Sequence, residues 1–377
     1  MIMYTNTASL RTTRPTALRG WPRSGSIAKS DRTGCQRSKP VSQFAGLLRR
    51  YAPRNDEQGR LLKVALTAAV LVLALHTPAF ALDKLRAAKS VNTAWAFIPL
   101  DVGAAYGIWA KYGIELEISG LGGDAKLQQA LTSDSVDFGL GSGPSMAFAV
   151  KGSPVIAVAA FAKEPRNISV VVAPNSPIKT VADLKGKLIS VTTAGSLTDW
   201  LVHRLSVKEG WGTDGVRTVA LGGFEPSMPA LKTGQIDGIM AATEAGYLVE
   251  ERGEGRILVG MEKSAPKFHT HVVFARKALV AEKPDQVKRF LQGFFASIAY
   301  MKAHKEETSK VAEAVLKESP QVASKTYDYE ISMLEDDGRF DPAAVEVIKE
   351  SLVEMKMLDS KPNDDQLFTT KFLPVKP

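Results

Sequence analysis

The sequence predicts an α/β protein with two similar lobes, each built from alternating strands and helices. The main observation is a repeat. Residues 121–137 and 221–237 share Leu-Gly-Gly, then Ala-Leu, then an apolar residue and Asp, all in the same register. A glycine turn, a helix and a strand start that occur twice indicate two related strand–helix–strand units. Two lobes enclose a cleft, where small ligands commonly bind.

The predicted elements of the first lobe begin with a strand at 84–88. Pro99 suits the first turn of a helix that Gly113 would end. Residues 114–118 alternate between apolar and polar, as a half-buried strand does. The first copy of the repeat then predicts a helix and a strand at 138–140. A continuous apolar run at 155–161 is typical of a buried strand.

The second lobe is predicted to contain strands at 168–173 and 188–191, with a helical turn between them at 181–187. The second copy of the repeat follows, and strands are predicted at 236–240 and 257–259. Residues 268–274 would return the chain to the first lobe. From Pro284 onward the apolar spacing is helical, and we expect these helices to buttress the first lobe.

The start of the chain predicts export. Arg60 and Lys63 precede an apolar block at 64–75, and small residues at 79 and 81 follow it, as in a signal peptide cleaved after Ala81. The block is short for a bilayer span. Residues 1–59 lack a sustained apolar period, so we expect a non-native or disordered extension and a true start near residue 60.

The basic charge belongs to this leader. Residues 1–81 carry 13 of the 48 Lys and Arg and 3 of the 40 Asp and Glu, which leaves 35 and 37, a net charge of −2 instead of +8. The charge therefore gives no reason to expect a nucleic-acid partner. The single cysteine, Cys35, also lies in this stretch. The remainder thus has no disulfide, thiolate metal site or cysteine nucleophile.

Three segments, at 99–116, 178–187 and 230–237, together resemble a known family. The segment 178–187 contains Asp-Leu-Lys-Gly-Lys, and 230–237 has the form Ala-Leu-x-x-Gly-x-x-Asp. The resemblance is to the extracytoplasmic solute-binding proteins of ABC transporters, in the nitrate/sulfonate/bicarbonate (SsuA/THI5-like, NMT1-like) family. It covers roughly residues 84–275.

The resemblance implies a type II periplasmic-binding-protein fold, with two Rossmann-like lobes, a hinge and a C-terminal helical segment. We expect lobe 1 to comprise 82–165 plus 272–377 and lobe 2 to comprise 166–271, with hinge crossovers near 163–168 and 268–272. It also implies a periplasmic monomer that captures a solute and hands it to an ABC permease and its ATPase in the inner membrane.

Ligands of open α/β sheets bind beyond the carboxyl ends of the strands, which here correspond to several Gly-, Ser- and Thr-rich loops. Most of these loops precede helices, so their N–H groups favour an anion, although Ser, Thr and Gly also simply cap helices. The candidate ligand-binding residues are Thr93, Trp95, Phe97, Gly123, Asp124, Ser142, Gly143, Ser145, Thr193, Gly195, Ser196, Leu197, Thr243 and Glu244.

Four of these candidates have an alternative interpretation. Trp95 and Phe97 would either stack on a ligand or pack in the core. Asp124 would either bind an amine or, as we prefer, act as a helix N-cap. Glu244 would accept a hydrogen bond or an ammonium group, although a surface carboxylate is commoner.

The sequence favours a non-enzymatic protein without a cofactor. His269 and His271 share a strand face, but no third ligand cluster accompanies them, so we expect no metal. The chain has neither a G-x-S-x-G elbow nor a P-loop. The related thiamine-pyrimidine synthase branch is cysteine-rich, unlike this chain.

The sequence shows no evident arginine in the cleft that could clamp a small inorganic anion. We therefore expect the ligand to be a small organic anion, sulfonate- or carboxylate-like. The alternatives are a ligand sensor for a membrane partner and a thiamine-precursor binder.

Overall fold

The computed structural model describes residues 82–377, so the predicted extension at 1–59 and the predicted signal peptide at 60–81 lie outside the described residues. Ten strands form two five-stranded sheets. The strands are β1 (Asp83–Lys89), β2 (Ile114–Gly120), β3 (Phe138–Ser142), β4 (Val155–Ala162), β5 (Ile168–Val172), β6 (Leu188–Val191), β7 (Arg217–Ala220), β8 (Gly238–Ala242), β9 (Arg256–Gly260) and β10 (His271–Arg276).

The two sheets have the same topology. The first has the order β2-β1-β3-β10-β4 and the second the order β7-β6-β8-β5-β9. In each sheet a single antiparallel strand occupies the fourth position: β10 lies between β3 and β4, and β5 lies between β8 and β9. The predicted α/β class with two related lobes is therefore confirmed.

Helices flank both sheets and form the C-terminal part of the chain. They are α1 (Pro99–Ala105), α2 (Ile108–Lys111), α3 (Asp124–Thr132), α4 (Ala147–Val150), α5 (Leu197–Lys208), α6 (Phe224–Lys232), α7 (Thr243–Glu251), α8 (Lys277–Glu282), α9 (Pro284–Ala303), α10 (Lys305–Leu316), α11 (Pro320–Glu330), α12 (Pro342–Glu354) and α13 (Asp364–Leu367). None of the helices in residues 82–377 has the length and apolar character that a bilayer crossing requires.

The sequence repeat is a repeat of backbone geometry. The Asp137 N–H donates to the Arg86 carbonyl (2.9 Å), and the Asp137 carboxylate accepts from the Arg86 N–H (2.9 Å). Asp237 makes the same two hydrogen bonds with Leu188, at 2.8 and 2.9 Å. Gly123 and Gly223 precede the two repeat helices with φ of +119° and +117°, a conformation that favours glycine. The repeat thus places two equivalent turns at the carboxyl ends of β2 and β7.

Two predicted elements differ from the structure. The single helix expected between Pro99 and Gly113 is broken into α1 and α2, because Gly107 between them is left-handed (φ +62°). The strand predicted at 236–240 instead spans Gly238–Ala242, and α7 follows it directly at Thr243 without an intervening loop.

The C-terminal helices contact both lobes. On the first lobe, Phe290 of α9 stacks on Phe138 of β3, with ring centroids 3.7 Å apart. On the second lobe, Glu354 at the end of α12 accepts from Trp200 Nε1 (2.9 Å) and Arg204 Nη1 (2.7 Å), both in α5. The helical segment was expected to buttress the first lobe and in fact packs on the second as well.

We predict that Asp137→Asn destabilises the protein more than Asp237→Asn does. The Asp137 side chain is 8% exposed and pairs with Arg86 (3.0 Å) and Arg276 (2.6 Å), whereas Asp237 is 36% exposed and lies 3.6 Å from Lys187. Breaking the more buried pairs should cost about 3 kcal/mol, against about 1 kcal/mol for Asp237. Urea unfolding of both variants measures this, and equal losses would contradict it.

Candidate functional site

The main cavity, of about 220 Å³, lies between the two sheets at the carboxyl ends of their parallel strands. The loops that follow β1, β2, β6 and β7 all reach it, as do the ends of β3 and β8. Its lining comprises residues 90–94, 121–124, 222–226 and 240–242 together with Phe97, Ser142, Asn167, Ile168, Thr192, Leu197, Thr198 and His271.

Six of the fourteen candidate residues line the main cavity and eight do not. The six are Thr93, Phe97, Gly123, Asp124, Ser142 and Leu197. The other eight are Trp95, Gly143, Ser145, Thr193, Gly195, Ser196, Thr243 and Glu244, and of these only Glu244 lines a smaller, neighbouring cavity.

Trp95 belongs to the hydrophobic core. Its side chain is fully buried, and its ring packs edge-on against Tyr327 with centroids 6.1 Å apart. Residues 95–97 form a 3-10 turn that directs Trp95 inward, whereas Phe97 lines the cavity and meets the His271 ring edge-on at 4.7 Å. Of the two interpretations of Trp95, core packing is the one that its position supports.

Asp124 is neither a helix cap nor a free acceptor. Its two carboxylate oxygens accept from the Ser142 N–H (3.1 Å) and the Ser142 hydroxyl (2.6 Å), and α3 has no side-chain cap. Ser145 lies behind this pair, with its hydroxyl 3.1 Å from that of Ser142. The preferred N-cap interpretation of Asp124 is therefore wrong: its carboxylate fastens the end of β3 to the start of α3.

The loop before α5 contributes less to the cavity than its sequence suggests. Ser196 is the N-cap of α5, and Gly195 N–H donates to Asp199 (2.8 Å), so both serve the helix. Leu197 and Thr198 line the cavity, and Thr192, which was not a candidate, lines it too.

Asn167 and His271, which join the two crossing segments, line the main cavity but were not among the candidates. Asn167 Nδ2 lies 2.9 Å from His271 Nε2. Burial lowers the pKa of His271 to about 3, so the ring is neutral and Nε2 accepts this hydrogen bond. Asn167 Oδ1 is then buried without a partner at the cavity wall.

The sequence suggested His271 only as a possible metal ligand. Within residues 82–377 no group of three or more His, Cys, Asp or Glu residues is arranged to hold a metal.

Apart from Phe224, a weaker candidate in the sequence, the 222–226 loop was also missed, although the repeat itself carried the signal. Gly123 was a candidate, and its repeat partner Gly223 lines the opposite side of the cavity. The helices α3 and α6, which start at these turns, direct their first N–H groups towards the cleft. A candidate set drawn from both copies of the repeat would have included 222–224.

A smaller cavity of about 40 Å³, here called the side chamber, adjoins the main cavity. Both cavities share Thr93, Phe224 and Glu225. The rest of the side chamber's lining is Glu244, Ala245, Leu248, Leu316 and Glu318. Glu244 is 3% and Glu318 8% exposed, and Glu330 of α11, which is fully buried, lies behind Glu244.

These three glutamates hold protons because they are buried together. Burial raises the pKa of Glu244 to about 7 and that of Glu318 to about 8. Burial, together with the charge of Glu244, raises the pKa of Glu330 well above its usual range. Glu330 lies close to Glu244, and Glu244 Oε1 accepts from the Trp95 N–H at 2.5 Å. The contact joins α7 of the second lobe to the first lobe.

We predict that this cluster makes stability fall as pH rises. The pKa values of Glu244 and Glu318 are higher in the folded protein than in the unfolded chain. The stability that these protonated carboxyls contribute is therefore complete below about pH 4.5 and is lost as pH rises through about 7 to 8. The free energy of unfolding should decrease by on the order of 5 kcal/mol between pH 5 and 8. Glu330→Gln should flatten this dependence and raise Tm at pH 8. The surface variant Glu282→Gln is the control, and an unchanged profile in Glu330→Gln would refute the assignment.

The fold and sequence have recognisable relatives. The periplasmic aliphatic sulphonate binding protein SsuA from Escherichia coli is 17% identical, with a TM-score of 0.64 and coverage of 76% of this chain and 92% of that one. The alkanesulfonate-binding protein SsuA from Xanthomonas axonopodis pv. citri, bound to MOPS, is 17% identical with a TM-score of 0.64, covering 76% and 96%. These likenesses confirm the type II periplasmic-binding-protein fold.

The family follows from the sequence comparison. A Haemophilus influenzae protein named "Putative thiamine biosynthesis protein" is 27% identical over 250 residues, which are 63% of this chain and 75% of that protein. The profile of the NMT1/THI5-like family matches residues 95–308, more than half of the chain and most of both sheets. This protein therefore belongs to the NMT1/THI5-like family.

Proposed function

We propose that this protein is the solute-binding component of an ABC importer, located in the periplasm and acting as a monomer. It captures a small organic solute in the main cavity and delivers it to a membrane permease and its ATPase. The observation that carries the proposal is the position of the main cavity, between two sheets of equal topology and against the equivalent turns at Gly123 and Gly223. The two SsuA fold neighbours described above, which are sulfonate-binding proteins, support the same class of function.

We further propose that the lobes are 82–165 plus 272–377 and 166–271, and that they close on the solute. The chain passes between the sheets after β4 and after β9, and these two crossings would act as the hinge. The Asn167–His271 hydrogen bond joins the crossings at the cavity wall, so solute bound there would contact the hinge directly.

A binding role fits the chemistry of the cavity better than catalysis does. Within residues 82–377, the histidine side chains contact backbone groups, Asn167 or the Asp199 carboxylate, and no hydrogen bond joins a histidine to a Ser or Thr hydroxyl. No cysteine occurs in this range either. A hydrolytic nucleophile would need such an activating base. A thiamine precursor is a second candidate solute, favoured by the name of the Haemophilus influenzae relative.

We predict that a solute of the right class stabilises the protein and that Ala242→Phe abolishes this effect. Ala242 lines the main cavity, so a phenyl group there would occupy the binding space. A ligand at 100 times its dissociation constant adds about 2.7 kcal/mol, or a Tm rise of roughly 5 °C. A thermal-shift panel of sulfonates, taurine, nitrate, aromatic carboxylates and thiamine precursors measures this.

The matched control is Ala281→Phe, at an exposed position of α8. It should respond to the same solute as the unmodified protein does. Equal binding by Ala242→Phe and Ala281→Phe would show that the main cavity is not the site. The receptor proposal fails if no solute of the panel stabilises the protein and if mass spectrometry detects no co-purified solute after the protein is denatured.

A further inference from the structure

We propose that the side chamber is the subsite for a protonated primary amine carried by the solute, with Glu244 and Glu318 as its partners. The inference rests on the proposed solute-binding function and refines it. A solute that spans both cavities would place its body in the main cavity and its ammonium group in the side chamber.

The connection between the two cavities makes this placement possible. Thr93, Phe224 and Glu225 line both, so a single molecule in the main cavity reaches the side chamber without leaving the cleft. About 40 Å³ is room for a small terminal group but not for a ring. The walls beside the two carboxyl groups are Ala245, Leu248 and Leu316, which suit the methylene groups next to an ammonium.

The side chamber contains carboxylate oxygens that no described group satisfies. Glu318 Oε1 and Glu244 Oε2 are buried and accept no N–H within residues 82–377. Buried polar atoms normally have a hydrogen-bond partner, so two unpartnered carboxyl oxygens on residues that line one cavity indicate a missing partner. An ammonium group supplies three donors and a compensating charge.

The charges around the cleft favour a cation and disfavour an anion in this part of it. Asp124, Glu225, Glu244 and Glu318 line the two cavities, and no lysine or arginine lines either of them. Asn167 Oδ1 adds a further free acceptor at the main-cavity wall. The sequence-based expectation of an anionic solute relied on helix N-termini. The helix N-termini would bind an anionic group at one end of the solute, whereas the side chamber would bind an amine at the other end.

A metal ion fits the side chamber less well. Ca²⁺ takes six to eight oxygen ligands and Mg²⁺ requires octahedral oxygen coordination. Here the carboxyl groups occupy one part of the wall and apolar side chains much of the rest. A single nitrogen with an alkyl stem matches both parts of this lining.

Amine binding should strengthen as pH rises. The groups near the two carboxyls are Glu330, Glu313 and Glu225 from neighbouring helices, together with Tyr247. The cation next to this group is Lys325, which lies over the Tyr247 ring and pairs with Glu250. Because burial keeps Glu244 and Glu318 protonated near neutral pH, an ammonium group must displace their protons. Its affinity should therefore be higher at pH 8.5 than at pH 6.

The test uses methylammonium chloride as the probe, with thermal unfolding of the full protein as the readout. Tetramethylammonium chloride and sodium chloride at the same ionic strength are the reference salts, because neither offers N–H donors. At pH 8.5 methylammonium should raise Tm by roughly 2 °C more than the reference salts, and by less at pH 6. Glu318→Gln and Glu244→Gln should each lose this difference, while Glu282→Gln, on an exposed part of α8, should keep it.

Equal effects of the three salts on the unmodified protein would overturn the proposal, as would a methylammonium effect that Glu318→Gln retains. A second arm compares taurine with ethanesulfonate, which lacks the amine. At pH 8.5 taurine should bind at least about tenfold more tightly, a preference that Glu318→Gln removes.

The two proposals fail in different ways. If the amine preference is absent but a solute stabilises the protein in a manner that Ala242→Phe blocks, the receptor function stands and the amine subsite is wrong. If methylammonium binds as expected but no solute of the panel does, and the denatured protein releases none, the side chamber stands and the receptor function loses its support.

Discussion

Each sheet of this protein is completed by a strand that arrives from the other lobe. Strand β5 enters the second sheet directly after the chain leaves β4, and β10 enters the first sheet after the chain leaves β9. Both strands lie inside their sheets, so each sheet includes a strand that the chain reaches only by passing from one lobe to the other. The crossings meet at the Asn167–His271 hydrogen bond, which lies in the wall of the main cavity. The same constraint therefore builds the two sheets, the proposed hinge and part of the wall of the main cavity.

The repeat explains why so much of the fold was predictable from the sequence. Asp137 and Asp237 each exchange two hydrogen bonds with the neighbouring parallel strand, and Gly123 and Gly223 each adopt a positive φ. These roles need particular residue types at particular spacings, so they leave a pattern in the sequence. The continuous apolar run of β4 is a signal of the same kind, because a strand covered on both faces excludes polar residues.

The site was less predictable, because it depends on which way individual side chains point. Trp95 and Phe97 are two residues apart in one short turn, yet one packs in the core and the other lines the main cavity. Ser196 reads equally well as a cap or as a ligand group, and only the position of α5 shows that it caps. Asn167 carries no sequence signal at all. Its importance comes from a contact with His271, which is 104 residues away.

A structural role alone does not explain why three glutamates are buried together. Three carboxyl groups from α7, α11 and the segment between α10 and α11 meet in an interior where ionising any of them is costly. Glutamine or leucine would join these elements without that cost, as replacements of buried charges in other proteins show. Carboxyl groups differ from those residues in one useful respect: they release protons and become partners for a cation. The arrangement is costly in the empty protein and becomes favourable when a positively charged group enters the side chamber. Polar groups left unsatisfied next to a cavity are therefore better explained by what they bind than by what they stabilise.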